Sequence, residues 1–276
     1  MILVTGARGH LGAATLAALR ARGAAATGGS RTPGEGIRRL DFDDPAGLDL
    51  TGVSTLMLVS AGYAEDDQVV ARHAAVLEAA VRDGVGHVVY TSLTTAGDHL
   101  AFAAAHRATE RLVRTSGPPW TILRNGLYAE LFGALPTWAG AGMESAFGDG
   151  ALAAVAREDL AEAAAVVAAD PARHVGRLYD LVGTPITADR VAARLGVPHR
   201  AIGLGEYRRR LLDETPGLLP FQPPMLVSIA TSVRHGFLDG TTSDLTDLLG
   251  RPLRDPLTVA AEAAEAASAA RPRAVA

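Results

Sequence analysis

Ile2-Leu3-Val4-Thr5-Gly6-Ala7-Arg8-Gly9-His10-Leu11-Gly12 opens the chain and decides its fold. A short apolar run meets a glycine at every third position, and an alanine-rich segment follows from about Leu11. This is the strand, tight turn and helix of a first βα unit, spaced G-x-x-G-x-x-G and not the commoner G-x-G-x-x-G. Gly6 lets the chain turn off the strand, Gly9 lets backbone N–H groups approach an anion, and Gly12 lets the helix pack close to the sheet. The helix N-terminus then presents unpaired amides and a positive dipole end to a pyrophosphate. Gly6, Arg8, Gly9, His10, Leu11 and Gly12 are therefore candidate dinucleotide-binding residues; an ordinary βα turn is the plain alternative.

The second strand, placed at 24–29, runs into Ser30-Arg31-Thr32-Pro33. A site that prefers NAD has an acid about 20 residues past the glycines to hold the ribose 2′-hydroxyl, and none stands here. Arg31 offers a planar cationic fork, with the Ser30 and Thr32 hydroxyls beside it, a set suited to a 2′-phosphate. Arg8 could reach the same phosphate from the glycine loop. The expected cofactor is NADPH, against the alternative that Arg31 is a solvated loop arginine.

Apolar runs then alternate with helical patterns, which predicts an α/β fold with a doubly wound parallel Rossmann sheet. Strands are expected at Thr55-Leu56-Met57-Leu58-Val59-Ser60, at His87-Val88-Val89-Tyr90-Thr91-Ser92 and at Trp120-Thr121-Ile122-Leu123-Arg124, with helices over 66–83 and 103–115. Ligands in such sheets bind beyond the carboxyl ends of the strands. That rule brings Ser60, Ala61, Gly62, Ser92 and Asn125 to the site, together with the turn from Asn125 to Tyr128. We divide the chain into an NADP(H)-binding Rossmann domain, 1–150, and a smaller C-terminal substrate-facing lobe, 151–276, with elements returning to the core. In the lobe we expect a helix over 157–169, a strand over 176–183, a short helix over 187–195 capped by Thr187, and a tail helix over 259–270 fraying at Arg271-Pro272-Arg273. The Pro- and Leu-rich stretch 216–225 reads as an apolar loop, lining either a substrate pocket or an interface.

Composition narrows the chemistry. The 276 residues contain no cysteine, which excludes disulfides and thiolate nucleophiles, and eight scattered histidines give no metal motif. A core strand directly after Met1 is expected to leave no room for a signal peptide, and no apolar run reaches spanning length. A net charge of −4 argues against nucleic acid as a partner. We expect a cytoplasmic protein acting on a small molecule, without nucleic acid or membrane as partner; a homodimer stays open. There is no lysine: all 26 basic side chains are arginine. The Tyr-x-x-x-Lys pair of ordinary short-chain dehydrogenases, whose cation lowers the tyrosine pKa, cannot exist here.

Val4-Thr5-Gly6-Ala7-Arg8-Gly9-His10-Leu11-Gly12, Tyr90-Thr91-Ser92-Leu93 and Leu123-Arg124-Asn125-Gly126-Leu127-Tyr128 together resemble the NmrA-like atypical short-chain dehydrogenases. Within them the chain is most similar to the type 2 NADPH:quinone oxidoreductases, nearly end to end. The resemblance implies a flavin-free NADPH-dependent reductase of quinones or related carbonyls. Some members are non-catalytic NADP(H) sensors, and a reductase tailoring an aromatic or polyketide metabolite is a third reading. It also implies that Asp41 and Phe42 flank the adenine, and that His106 stands where many members carry lysine. Candidate catalytic residues are His106, Tyr128 and Ser92. His106 and Glu110, four apart on one helix, are expected to meet, with Glu110 raising the histidine pKa and orienting its ring as proton donor or ribose ligand. Tyr128 is a candidate for lining the substrate pocket, and Ser92 stands at the strand end where the superfamily keeps its catalytic serine.

Overall fold

The computed structural model describes residues 1–61 and 64–270; Gly62 and the expected fraying at Arg271-Pro272-Arg273 lie outside the described residues. Along the chain, β1 (Ile2–Val4), α1 (His10–Ala21), β2 (Ala26–Ser30) and β3 (Ile37–Arg39) come first. Next are β4 (Thr55–Leu58), α2 (Asp66–Arg82), β5 (His87–Leu93), α3 (Ala103–Thr115) and β6 (Trp120–Asn125). Then follow α4 (Ala129–Ala134), β7 (Thr137–Ala139), β8 (Gly142–Ser145), β9 (Ala151–Ala154), α5 (Arg157–Ala169), β10 (Arg177–Leu181) and β11 (Thr184–Thr187). The last described elements are α6 (Ala188–Leu195), β12 (His199–Ala201), α7 (Leu204–Asp213), α8 (Gln222–Arg234), α9 (Leu245–Leu249) and α10 (Pro256–Ala269).

Seven strands form one parallel sheet in the order β10-β6-β5-β4-β1-β2-β3. Alternate side chains enter two cores, which is why these strands read as continuous apolar runs. Leu3, Leu56, Leu58, Tyr90 and Ile122 face α2 and α3. Val4, Met57, Val89 and Leu123 face α1 and α5. The sheet is thus covered on both sides, as a doubly wound fold requires. The chain leaves β1 toward β2 in one direction and continues from β4 in the other, so strand order reverses between β1 and β4. Open α/β sheets bind ligand outside the carboxyl ends at that reversal.

A third core joins α4, α6, α7, α8 and α10 to two small sheets, β9 with β11 and β7-β8-β12. The chain crosses back from here, and β10 closes the edge of the main sheet beside β6. Local chemistry sets several boundaries. Thr187 Oγ1 accepts the Arg190 amide at 3.3 Å and starts α6, which stops at Gly196 with φ +69°. Pro223 and Pro224 sit in the first turn of α8, where no intrahelical N–H is needed. The stretch 216–225 is therefore part helix, a correction to its reading as a loop.

Arginines tie the C-terminal elements together. Glu144 on β8 accepts from Arg200 Nε and Arg210 Nη1, each at 2.6 Å. On α5, Asp159 and Glu162 accept from Arg251 Nη2 at 2.8 and 2.6 Å, and Arg254 joins both carboxylates.

Candidate active site

The glycine loop is built as its spacing implies. Gly6 has φ +61°, a conformation L side chains rarely adopt. A Cβ on Gly12 would lie 2.8 Å from the Thr5 carbonyl oxygen and overlap that of Gly6, so the helix approaches the turn backbone to backbone. A Cβ on Gly9 would meet one neighbour only, Gly6 O at 3.3 Å. Gly9 is the N-cap of α1, without a side-chain cap or an acidic residue in the first turn. The first-turn amides, from His10 and Leu11 onward, and the positive helix end are left uncompensated by the protein, as suits a pyrophosphate.

Arg31 follows directly on β2, exposed, and makes no hydrogen bond or ion pair with any described residue, although its charge reaches Asp43. Arg8 donates through Nε to Thr32 O at 3.0 Å and through Nη2 to Pro33 O at 3.1 Å. Arg8 therefore holds the loop directly after Arg31, at the carboxyl end of β2. Asp41 accepts the Asp43 amide at 3.2 Å, and Phe42 leans on the core beneath the sheet.

A cleft of about 180 Å³ lies above the carboxyl ends of β4, β5 and β6. Its lining includes Leu11 from the start of α1, so it is continuous with the glycine loop, and it includes Ser60, Ser92, His106, Asn125 and Tyr128. The loop after β4 is pinned where Ser60 N donates to Thr91 Oγ1 and Ala61 N to His73 Nε2, each at 2.9 Å. Among the described residues, none is in hydrogen-bond geometry with buried Asn125 Oδ1 or Ser60 Oγ. Buried polar atoms are normally satisfied, so these two suit a polar ligand such as a nicotinamide. The Tyr128 ring lies under the Arg157 guanidinium at 4.9 Å, and burial pushes its phenol upward.

His106 and Glu110 do not pair. Glu110 accepts from Arg124 Nε at 2.8 Å and Nη2 at 2.7 Å, from Arg107 Nη1 at 2.9 Å and from the Ser92 hydroxyl at 2.6 Å. A bidentate guanidinium outcompetes a neutral imidazole for a buried carboxylate. His106 Nδ1 instead lies 3.0 Å from the Tyr90 hydroxyl. Burial, helped by the Arg107 charge and opposed by Glu110, holds the His106 pKa down at about 4, so the expected rise is reversed. Ser92 lines the cleft with its proton committed to Glu110. Tyr90 and Arg124 sat unassigned inside the quoted motifs. An arginine in an otherwise apolar strand was the available signal, because it demands a buried acid nearby.

The stretch 216–225 reaches a different cleft, of about 670 Å³, lined by Pro220, Pro223, Pro224, His99, Arg208 and Phe237 among others. Among the described residues no cluster of metal-ligand type is present, and no helix is long and apolar enough to cross a membrane.

No protein-family model matches the chain. Quinone oxidoreductase 2 of Escherichia coli is 32% identical over 278 residues, covering 91% of this chain and 94% of its own. Its crystal structure complexed with NADPH superposes with a TM-score of 0.81, at 29% identity over 98% of this chain and 99% of that one. The (4-alkanoyl-5-oxo-2,5-dihydrofuran-3-yl)methyl phosphate reductase of Streptomyces griseus is 32% identical, over 96% of this chain and 99% of its own. Citrobacter triphenylmethane reductase complexed with NADP(H) has a TM-score of 0.83 at 27% identity, over 95% of this chain and 99% of that one. With a glycine loop, strand ends and cleft arranged as described and relatives of this identity matched over nearly their whole length, the chain belongs to the NmrA-like family of atypical short-chain dehydrogenases/reductases.

Proposed function

We propose that the protein is an NADPH-dependent reductase that passes hydride, without flavin, to a quinone or a related conjugated carbonyl acceptor. The observation that carries this is one continuous site: the uncapped glycine loop opens into a cleft holding two buried oxygens that no described residue satisfies, a neutral imidazole and a phenol. The E. coli relative complexed with NADPH supports the cofactor, and its name supports the acceptor.

NADPH, when bound, supplies the hydride. The amides from Gly6 to Gly12 would hold its pyrophosphate, and Arg31 with Arg8 its 2′-phosphate. Asp41 and Phe42 would flank the adenine. Ser60, Ala61 and Asn125 would receive the nicotinamide end, with Gly62 beside them in sequence. His106 and Tyr128 would face the acceptor, Tyr128 as a wall and His106 as a polar contact to the acceptor oxygen. Ser92, its proton spent on Glu110, serves as wall. The reduced quinone spreads its charge over the ring and takes its proton from water, so no Tyr/Lys pair is needed. In this reading residues 1–150 bind the cofactor and elements of 151–276 shape the acceptor side.

The test is anaerobic stopped-flow at the NADPH absorbance with benzoquinones and naphthoquinones. We expect slow to moderate oxidation by protein whose visible spectrum shows no flavin. His106→Ala should slow it by less than the roughly 10²–10⁴-fold expected of an indispensable general acid. Tight NADPH binding with no oxidation by any acceptor would favour a sensor instead. The Streptomyces relative supports a second reading, a reductase dedicated to one conjugated metabolite, which would turn over only with that substrate.

A further inference from the structure

Behind the cleft, α2, β5 and α3 bury a chain of polar groups. The Ala61 amide can only donate, so His73 Nε2, at 2.9 Å, accepts and the proton of neutral His73 sits on Nδ1. Burial holds His73 down at about 3, which keeps it neutral. His73 Nδ1 therefore donates to Thr109 Oγ1 at 2.8 Å, and Thr109 passes its own proton to Ala105 O at 2.8 Å. Tyr90 stands beside this chain, its side chain fully buried and its ring edge-on to His73 at 5.5 Å. Its hydroxyl lies 3.0 Å from His106 Nδ1, with the Ser60 and Thr109 hydroxyls beside it.

A buried phenol must place its proton. Of these neighbours the imidazole nitrogen is the strongest acceptor and the one in hydrogen-bond geometry, so the Tyr90 proton goes to His106 Nδ1. A neutral imidazole that accepts at Nδ1 carries its hydrogen on Nε2. The groups around His106 agree: Tyr90 on β5, His73 behind it on α2, Phe102 edge-on at 6.2 Å, and Arg107 and Glu110 on its own helix, the last two bound to each other. No described residue hydrogen-bonds Nε2, and His106 lines the cleft.

We propose that Tyr90 is a positioning residue that fixes the tautomer of His106, so that a neutral imidazole presents its Nε2–H to the acceptor oxygen. The proposal rests on the reductase reading for the identity of the acceptor, and on the hydrogen bonds above for the tautomer. A neutral donor aimed at a site of developing negative charge stabilises it without having to give up its proton. The acceptor gains hydride, its oxygen gains charge against Nε2–H, and water supplies the proton afterwards. His106 would act as a fixed dipole and not as a shuttle.

The tautomer is read in ¹⁵N-histidine-labelled protein with NADP⁺ present, by two-bond proton–nitrogen correlation, with His106→Gln to assign the signals. From pH 6 to 8 the wild type should show His106 with hydrogen on Nε2 and a bare Nδ1. Tyr90→Phe keeps the buried ring and removes only the oxygen; it should give a mixture of tautomers. Its kcat should fall about tenfold, ~1.4 kcal/mol of transition-state stabilisation, with KM for NADPH unchanged. Hydrogen on Nδ1 in the wild type, or one unchanged tautomer in Tyr90→Phe, overturns the proposal, and so does an unchanged kcat beside an altered tautomer. The spectra need no turnover, so a protein that oxidises no NADPH would sink the reductase reading while leaving the tautomer assignment measured.

Discussion

Glu110 is 4% exposed and gathers Arg124, Arg107 and Ser92 around one carboxylate. Burial alone would raise its pKa; the hydrogen bonds from Arg124 and Ser92, with the charges of both arginines, outweigh that and hold it below the usual carboxylate range. Glu110→Gln leaves the Arg124 guanidinium without its anion, while Arg107 keeps Asp98, and should cost about 3 kcal/mol in urea unfolding, the scale of a broken buried pair. At the opposite end of the site, Arg31→Ala should weaken NADPH binding by about 1.5–3 kcal/mol, the worth of hydrogen bonds to a charged group, while NADH binding barely changes. Equal losses for both cofactors in a calorimetric titration would remove Arg31 from the 2′-phosphate. The residues of the cleft were legible in the sequence because strand ends face the site by rule. Their pairing was not. The four-residue spacing of His106 and Glu110 gives proximity on a helix, but the choice of partner was made by Arg124, which reaches Glu110 only once β6 lies beside β5.

Where an element follows from its own residues, the sequence predicted it closely. The helices at 157–169 and 103–115 begin and end as expected, and Thr187 caps α6. The second strand lies two residues later at its start than expected, because Ala-Thr-Gly-Gly carries almost no β preference and the position of β2 is set by pairing with β1. Strands of three or four residues such as β3, β7, β8 and β12 are too short for any period to show, and they exist by virtue of their neighbours. Close approach of elements gives two tests. A Cβ at Gly9 meets only one atom of the described residues, so Gly9→Val should fold yet lose NADPH in calorimetry, since its side chain stands where the pyrophosphate would approach backbone. Wild-type affinity in that variant would show that the loop is not the phosphate site. Gly133 on α4 faces the Ala260 backbone of α10 so closely that a Cβ would overlap its carbonyl oxygen. Gly133→Ala should therefore part the two helices and lower stability by about 1–3 kcal/mol, visible as a drop in Tm.

Across the molecule, pH acts through groups the fold keeps from titrating normally. Burial lowers His73 to about 3 and His106 to about 4, and depresses His87 and His174 as well. Each is neutral when folded but takes a proton once unfolded below its ordinary 6.5, so its contribution is whole above that value and is lost as pH falls through the window beneath it. Glu144 and Glu162 join Glu110 in lying below the carboxylate range. For Glu144 the Arg210 hydrogen bond leads; for Glu162 burial opposes, and Arg251 and Arg254 outweigh it. Their contribution is present above the ordinary value of 4.5 and is lost below it. The urea midpoint should thus be level from pH 8 to 7, decline below about 6.5, and fall more steeply below about 4.5. A midpoint indifferent to pH between 7 and 5 would contradict the neutral buried histidines. On the alkaline side the arginine networks around Glu110, Glu144, Asp159 and Glu162 behave differently from any built on lysine, since guanidinium keeps its proton throughout. With no lysine and no cysteine, and with Tyr90, Tyr128 and Tyr207 pushed upward by burial, no side chain is due to titrate between the histidine and tyrosine ranges. Apart from the single α-amino group, electrophoretic mobility should therefore change little from about pH 8 to about pH 9.5, a range over which lysine-rich proteins begin to shed positive charge.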